Sequence, residues 1–360
     1  MNSTLLYQWN EMVDKAFAGM GRWQKQMLAR FSYGVLLAHS CTLSVVAKRL
    51  SGKADASSLE RGMQRWLANE RLVMPHLIGW WIGWVLHLWG KAPLLILVDE
   101  TKLSDHVAVM MVGLAYQNSA IPLVWRAYTV DDYPAEGQVA LMKDLLDQLQ
   151  ARLPPDQSAL LLADRGLATS PTWQEHLSNT GWNYLLRVQN STQMLLPGQK
   201  PQPLRRMVGY GQTWIGHAQV FKKAGWQWKW VYLVWEVGYA EPCCLFSNQP
   251  HLHPALYRQR FYHEVSFRDL KSDGFNWHLS RIWLPAHVER LLLVLAVAML
   301  WSLTQGTIVF HLYPLTARQR RLSIFRLGLD YLGERFAAAF SKGLELLLAP
   351  DPPLLKTVVP

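Results

Sequence analysis

LLILVDET, Leu94 to Thr101, and ALLLADRG, Ala159 to Gly166, decide how this chain is read. Each is an unbroken apolar run that ends in an aspartate. Such a run is too short for a core helix and fits a central strand covered on both faces. In open α/β sheets, sites form beyond the carboxyl ends of the central strands. Asp99 and Asp164 can therefore meet in space despite their separation in sequence. A single Asp at a strand end commonly serves only a turn, but two strands ending alike in one sheet form a pattern.

Around these runs the order of elements is mixed. HVAVMMVGLAYQ and AIPLVWRAYTV read as strands of a hairpin turning at Asn118-Ser119. VALMKDLLDQLQARL is an amphipathic helix stopped by Pro154-Pro155, TWQEHLSNTG is a helix closed by Gly181, and WNYLLRVQ is a strand. This is the order of an α/β mixed sheet. From Ser191 to Gln249 the pattern is β-rich and full of Trp, with QTWIGHAQVF, WQWKWVYLVWEV and PCCLFSN as strands. Helical spacing returns at Pro254 with YRQRFYHEVSFRDLKSDGF, then HVERLLLVLAVAMLWSLTQG, then the basic ARQRRLSIFRLGLDYLGERFAAAF. The tail DPPLLKTVVP reads as loose. The first ninety or so residues are helical throughout. Two of these helices are split at a Gly-Lys-Ala-Asp-Ala-Ser turn, with Ser57 or Ser58 as cap and Arg61, Arg65 and Arg71 following. They suit insertion into a DNA major groove and equally a solvated face. The expected division is 1–90, an all-α N-terminal domain; 91–190, the first part of the α/β core; 191–249, a β-rich insertion; 250–315, the rest of the core; and 316–360, a basic helix and tail.

Composition narrows the function. Half of the 360 residues are apolar and 17% are charged, which excludes wholesale disorder. Lys and Arg number 36 against 26 Asp and Glu, a net +10, and such a surplus favours a polyanionic partner. Three cysteines offer neither a disulfide framework nor zinc spacing. The N-terminus lacks the basic and apolar regions of a signal peptide, and a reducing cytoplasm is expected. LLLVLAVAMLW, Leu291 to Trp301, falls short of the roughly 18 residues needed to span a bilayer. It is expected to be a buried core helix, as is IGWWIGWVLHLWG from Ile78, so no membrane association is expected.

A third carboxylate lies in the helix after Pro254. Tyr257, Arg260, Glu264 and Lys271 are spaced by three, four and seven, which keeps them on one helical face, while Phe261, Val265 and Leu270 would dock that helix onto the sheet. Alone, the stripe could be a solvated face with an Arg260–Glu264 pair. Combined with Asp99 and Asp164, it completes a set of three carboxylates able to hold two hard divalent cations. Mg²⁺ favours carboxylate, water and phosphate oxygens, and paired ions serve phosphodiester displacement. Arg260 and Lys271 would clamp phosphate.

Tyr257-x2-Arg260-x3-Glu264-x6-Lys271 resembles the Tyr-Arg-Glu-Lys signature of bacterial insertion-sequence DDE transposases, the group named after insertion sequence four. LILVDET and LLLADRG resemble that family's first and second catalytic blocks, in order, and YHEVSFRDLKS its third. GWNYLLRVQ and CCLFSN add to a likeness covering roughly residues 30–310. The resemblance implies a ribonuclease H-like core with a β-rich insertion before the catalytic Glu helix. It implies Asp99, Asp164 and Glu264 as catalytic ligands of two Mg²⁺ ions, with Mn²⁺ able to substitute. It also implies Tyr257, Arg260 and Lys271 as DNA-binding residues. The activity would be cut-and-paste transposition on inverted-repeat ends and target DNA, by a homodimer in the DNA complex, in a bacterial cytoplasm at the nucleoid. Some members use a hairpin intermediate with a base flipped onto a Trp. Trp214, Trp226, Trp228, Trp230 and Trp235 are the candidates here, most of them expected in the core, and the route stays unassigned.

His263 is expected on the surface or behind the ligands, and Asp131-Asp132 in a turn before Pro134. Arg165 is expected on phosphate or paired with a carboxylate. Arg318, Arg320, Arg321 and Arg326 are expected on DNA flanks, on a partner subunit or on a solvated helix. Two other readings remain: a catalytically silent transposase-derived DNA-binding protein, and a membrane-associated protein resting on the Trp-rich and Leu-rich helices.

Overall fold

The computed structural model describes residues 3–51, 55–131, 137–168, 170–337 and 346–350. The start of the expected turn at 52–54, the turn at Asp132 and Pro134, and the tail at 351–360 lie outside the described residues.

A ten-stranded mixed sheet, ordered β3-β2-β1-β4-β5-β10-β9-β8-β6-β7, runs through the chain. β1 (Leu94–Lys102) pairs antiparallel with β2 (Val107–Tyr116) and parallel with β4 (Ala159–Ala163), and β4 runs parallel to β5 (Asn183–Val188). Every residue of β2 is buried, and β3 (Ser119–Thr129) is nearly so, which accounts for their continuous apolar sequence. The β2–β3 hairpin turns on Gln117 and Asn118, with φ of 48° and 62°. Two successive left-handed residues make the turn that matches strand twist. Ser119, expected in the turn, already pairs with Tyr116 as the first residue of β3.

The β-rich stretch continues this sheet. β10 (Cys243–Ser247) pairs antiparallel with β5 and with β9 (Gln227–Val234). β8 (Thr213–Val220) follows, then β6 (Gln193–Leu195) and β7 (Gln202–Pro203). One face of the added strands has its own apolar core, including Val188, Met194, Val231, Leu233 and Phe246. The other face is continuous with the face of β1 that carries Leu97.

Residues 3–89 form five helices: α1 (Ser3–Ala16), α2 (Arg22–Ala38), α3 (Leu43–Ser51), α4 (Ala56–Leu67) and α5 (Met74–Trp89). α4 is capped by Asp55, whose carboxylate accepts from the Ser57 N–H, rather than by Ser57 or Ser58; the charged oxygen also suits the positive helix end. Between strands lie α6 (Gly137–Gln150), the short α7 (Arg165–Ala168) and α8 (Pro171–Asn179).

The chain packs around α10 (Pro285–Leu312). This helix is longer than its most apolar run and, by length and composition, could cross a membrane, yet 94% of its most apolar window is buried inside the protein. Residues 288–307 are all buried, as befits a helix apolar on every side. Trp9 of α1 stacks on Trp301. Trp9, Trp66 and Trp81 share one continuous core with Trp125 of β3 and with α10, so the first five helices have no separate core. The buried charges of α10 have partners: Glu289 accepts from the Ala127 N–H at 3.0 Å, and Arg290 donates to the Leu67 carbonyl at 2.7 Å. The basic C-terminal helix expected from Ala317 is interrupted. A 3₁₀ turn at Gln319–Arg321 and extended Leu322 precede α11 (Ile324–Ala337). Ser323 accepts from the Arg326 N–H and starts the new helix.

α10 and α11 cross at Gly306 and Gly328. A Cβ at Gly306 would lie 1.8 Å from the Ile324 carbonyl oxygen, and one at Gly328 1.7 Å from that of Ser302. Since backbone cannot yield locally, Gly328→Ala must separate the helices. A loss of about 1–3 kcal/mol or more is expected, as for other overpacked cores, read as a lowered Tm in thermal unfolding. An unchanged Tm would show that the crossing is loose.

Candidate functional site

Parallel register brings the two aspartates together. Leu94 to Val98 of β1 pair in step with Ala159 to Ala163 of β4, so Asp99 and Asp164 occupy the next position on each strand, side by side. Successive strand residues alternate faces, so Asp99 lies on the face of Leu97. That face holds a second core containing Leu97, Leu162, Leu185 and Leu245, covered by Leu256 and Tyr257.

The covering segment is a composite, where one regular helix was expected. Residues Pro254–Phe261 form a 3₁₀ helix, α9 (Tyr262–Arg268) is a regular α-helix, and Asp269–Asp273 form a π turn. In a 3₁₀ helix residues three apart eclipse, which keeps Tyr257 and Arg260 on one side. The α-helical turn then brings Glu264 against Arg260 as an i,i+4 ion pair, and after the π turn Lys271 donates to the Lys102 carbonyl at the end of β1. Leu256, Tyr257, His263, Phe267 and Leu270 are the buried docking residues. Leu270 does what was expected, whereas Phe261 is 55% exposed and Val265 is only half-buried. The change from 3₁₀ to α winding turns Phe261 away from the sheet.

A cavity of about 550 Å³ is lined by Asp99, Asp164, Arg260, Glu264, Arg268 and Lys271. Five of the six residues singled out in the sequence thus share one cavity. The sixth, Tyr257, lines a neighbouring groove of about 690 Å³ that also includes Arg260. Its ring is buried and its hydroxyl lacks a hydrogen-bond partner among the described residues; burial pushes the phenol pKa up.

Arg260 holds the carboxylates in place. One guanidinium nitrogen lies 3.1 Å from Asp99 Oδ2, and the other pairs with Glu264 Oε1. Asp99 Oδ1 accepts from the Glu100 N–H at 2.9 Å, and Asp164 Oδ1 accepts from the Gly166 N–H. Burial pushes the Asp99 pKa up to about 6; Arg260 and the Glu100 N–H pull it down, while Asp164 and Glu264 push it further up. Asp99 thus feels both of the other carboxylates across the cavity. The hard oxygen donors fit Mg²⁺ in kind. As the side chains lie, among the described residues no three His, Cys, Asp or Glu are grouped closely enough to hold an ion, and Arg260 is the cation between Asp99 and Glu264.

Sequence reading missed Arg268 and Glu100. Arg268 lies four residues beyond Glu264 and pairs with Asp273 at 3.1 Å. Glu100 lines the same cavity and accepts from Gln138 Nε2 at 2.9 Å. The helical spacing signalled the first, and adjacency to Asp99 the second. His263 is not on the surface: it is 0% exposed, packed beside Phe267 and over Gly113. Gly113 faces a β-bulge at Leu123 of β3, and a side chain at Gly113 would meet the imidazole at 3.2 Å. Burial pushes the His263 pKa down to about 3, and the backbones of Leu97 and Met111 offset this only in part. Arg165 pairs with Glu241 at 3.2 Å, the carboxylate alternative. Trp228 and Trp230 flank His217 at 4.9 and 5.1 Å on one face of β9, and Trp228 is 50% exposed. Trp226 precedes β9, and Trp214 and Trp235 pack against the core of the added strands.

Residues 135–301 match the family of the transposase DDE domain. The matched span includes Asp164, Tyr257, Arg260, Glu264 and Lys271 and begins after Asp99. It is narrower than the 30–310 expected from the motifs. No curated protein matches the chain. The match supports transposase activity in general, and with it DNA as the partner.

Asp99 is ionised at neutral pH against its burial, so it costs stability above about pH 6, and the cost vanishes below the unfolded carboxylate value near 4. Asp99→Asn is therefore expected to raise Tm at pH 8, by up to about 3 kcal/mol of stability, with the gain shrinking through pH 6 and gone by pH 4. A gain that is independent of pH would sever the effect from ionisation.

Proposed function

We propose that this protein is a DDE transposase that cleaves the inverted-repeat ends of its own element and joins them to target DNA. The observation that carries the proposal is the gathering of Asp99, Asp164, Glu264, Arg260 and Lys271 around one cavity. They come from two parallel strand ends and a helical segment far apart in sequence. The match of 135–301 to a transposase DDE domain and the net charge of +10 support it. The mixed sheet, with β1 central and antiparallel to β2, fits a ribonuclease H-like fold.

In this reading Asp99, Asp164 and Glu264 are the ligands of two Mg²⁺ ions, with Mn²⁺ as a substitute. Bound there, the ions supply charge stabilisation to the attacking and leaving oxygens. The chain's own groups do the rest. Arg260 presents a planar fork suited to two phosphate oxygens, and Lys271, tethered to the end of β1, supplies a point charge beside it. Tyr257 holds the 3₁₀ segment on the sheet and lines the groove that Arg260 shares. The sheet wall of Leu97, Leu162 and Leu245 fixes the spacing of these groups. Such preorganisation favours charge that develops in the transition state. A homodimer pairing two ends would act in the DNA complex, in a bacterial cytoplasm.

Glu264→Ala, Asp164→Asn and Asp99→Asn should each reduce nicking of a duplex carrying the DNA that flanks the coding region. Losing several kcal/mol of transition-state stabilisation corresponds to on the order of 10³-fold or more. Retention of the duplex in gel shift should persist. Nicking by Glu264→Ala at the wild-type rate in Mg²⁺ would remove Glu264 from the site. Binding without nicking by the wild-type protein in either Mg²⁺ or Mn²⁺ would point to a silent DNA-binding protein instead.

A further inference from the structure

We infer that Arg260 is a built-in counter-cation that competes with divalent metal for Asp99 and Glu264, so that metal loading and DNA phosphate binding are positively coupled. The inference rests on the reading of these carboxylates as metal ligands. One guanidinium contacts an oxygen of both side chains. Its side chain is 15% exposed, against 19% for Asp99 and 44% for Glu264, so the pairs are partly withdrawn from water. Charge-assisted pairs in such surroundings are stronger than surface ones. A hard cation taking the same oxygens must either displace this guanidinium or bind with only part of its ligand set.

The other cation of the signature is placed differently. Lys271 donates to the Lys102 carbonyl and forms no ion pair among the described residues, so it leaves the carboxylates free. Arg260 has somewhere to go, because it also borders the groove of about 690 Å³ containing Tyr257. A phosphodiester at the mouth of the cavity offers the guanidinium two oxygens in the geometry it prefers. Drawing Arg260 onto phosphate would then release Asp99 and Glu264 to the metal, and metal binding would release Arg260 to phosphate. Reciprocity of this kind is required by linkage. Metal loading would thus be favoured when DNA phosphate is in place.

The test measures Mn²⁺ binding to the full-length protein by calorimetry, without DNA and without an activity readout. Arg260→Gln is expected to bind Mn²⁺ at least about tenfold more tightly than the wild-type protein, a difference of about 1.4 kcal/mol. Its Tm should rise more on adding Mn²⁺. Arg260→Lys, which can satisfy only one carboxylate well, should fall between the two and serves if Arg260→Gln does not fold. Adding Glu264→Gln to either variant should abolish the gain. Equal or weaker Mn²⁺ binding by both Arg260 variants would overturn the inference while leaving the metal site standing. A gain that survives Glu264→Gln would also overturn it, because the metal would lie elsewhere. Absence of Mn²⁺ binding in every form, including wild type with duplex DNA, would sink both this inference and the proposed function.

Discussion

Parallel pairing of β1 with β4 is the constraint from which the site follows. Parallel strands need a long crossover, here β2, β3 and α6, and cannot be joined by a tight turn. That crossover separates Asp99 from Asp164 in sequence while the shared register places them side by side. The pairing also sets two requirements for the rest of the chain. Both sheet faces must be covered, which α10 and its neighbours do on one side and the 254–273 segment does on the other. The covering segment must bring its own charges to the strand ends, and Arg260, Glu264 and Lys271 are those charges. The partly buried Asp99 in turn needs a counter-charge, which Arg260 provides.

Much of this was legible in the sequence, and the reasons are particular. Apolar runs ending in Asp99 and Asp164 announce buried strands because side-chain type reports burial directly. The spacing of Tyr257, Arg260, Glu264 and Lys271 announces a shared face because helical geometry is nearly fixed. The same spacing conceals the winding: the 3₁₀, α and π turns bring Arg260, Glu264 and Lys271 to the cavity and Tyr257 to the groove beside it, yet they leave Phe261 exposed and Val265 half-buried. The burial of His263 depends on the gap over Gly113 in β2, opposite a bulge in β3, a feature set by distant strands and absent from any local pattern. Asp55 outcompeted Ser57 and Ser58 as a cap for a similar reason, since all three residues are of types that suit that role and only the backbone path chooses among them.

The β-rich stretch shows where sequence pattern stops. Alternation identifies β8, β9 and β10 as strands, but nothing in it states that β10 pairs with β5. That pairing turns an apparent insertion into an extension of the central sheet. It lines up Trp228, His217 and Trp230 on the face that carries Asp99, and it places Glu241 where it binds Arg165 and Arg187. Long-range pairing is set by register and edge availability, which a one-dimensional pattern does not encode.

The shared core around α10 has a consequence for how the molecule comes into being. A chain emerges from synthesis N-terminus first, and domains generally fold as units in that order. Here α1 to α5, with Trp9, Trp66 and Trp81, cannot complete their packing until residues 285–312 have been made. The strand ends and the helical segment at 254–273 are produced before that pillar arrives, and in the interval one sheet face lacks the α10 part of its cover. Synthesis must therefore pass residue 312 before the anionic cavity becomes rigid. A prematurely terminated chain would contain every carboxylate of the site and still lack the support that holds them in register.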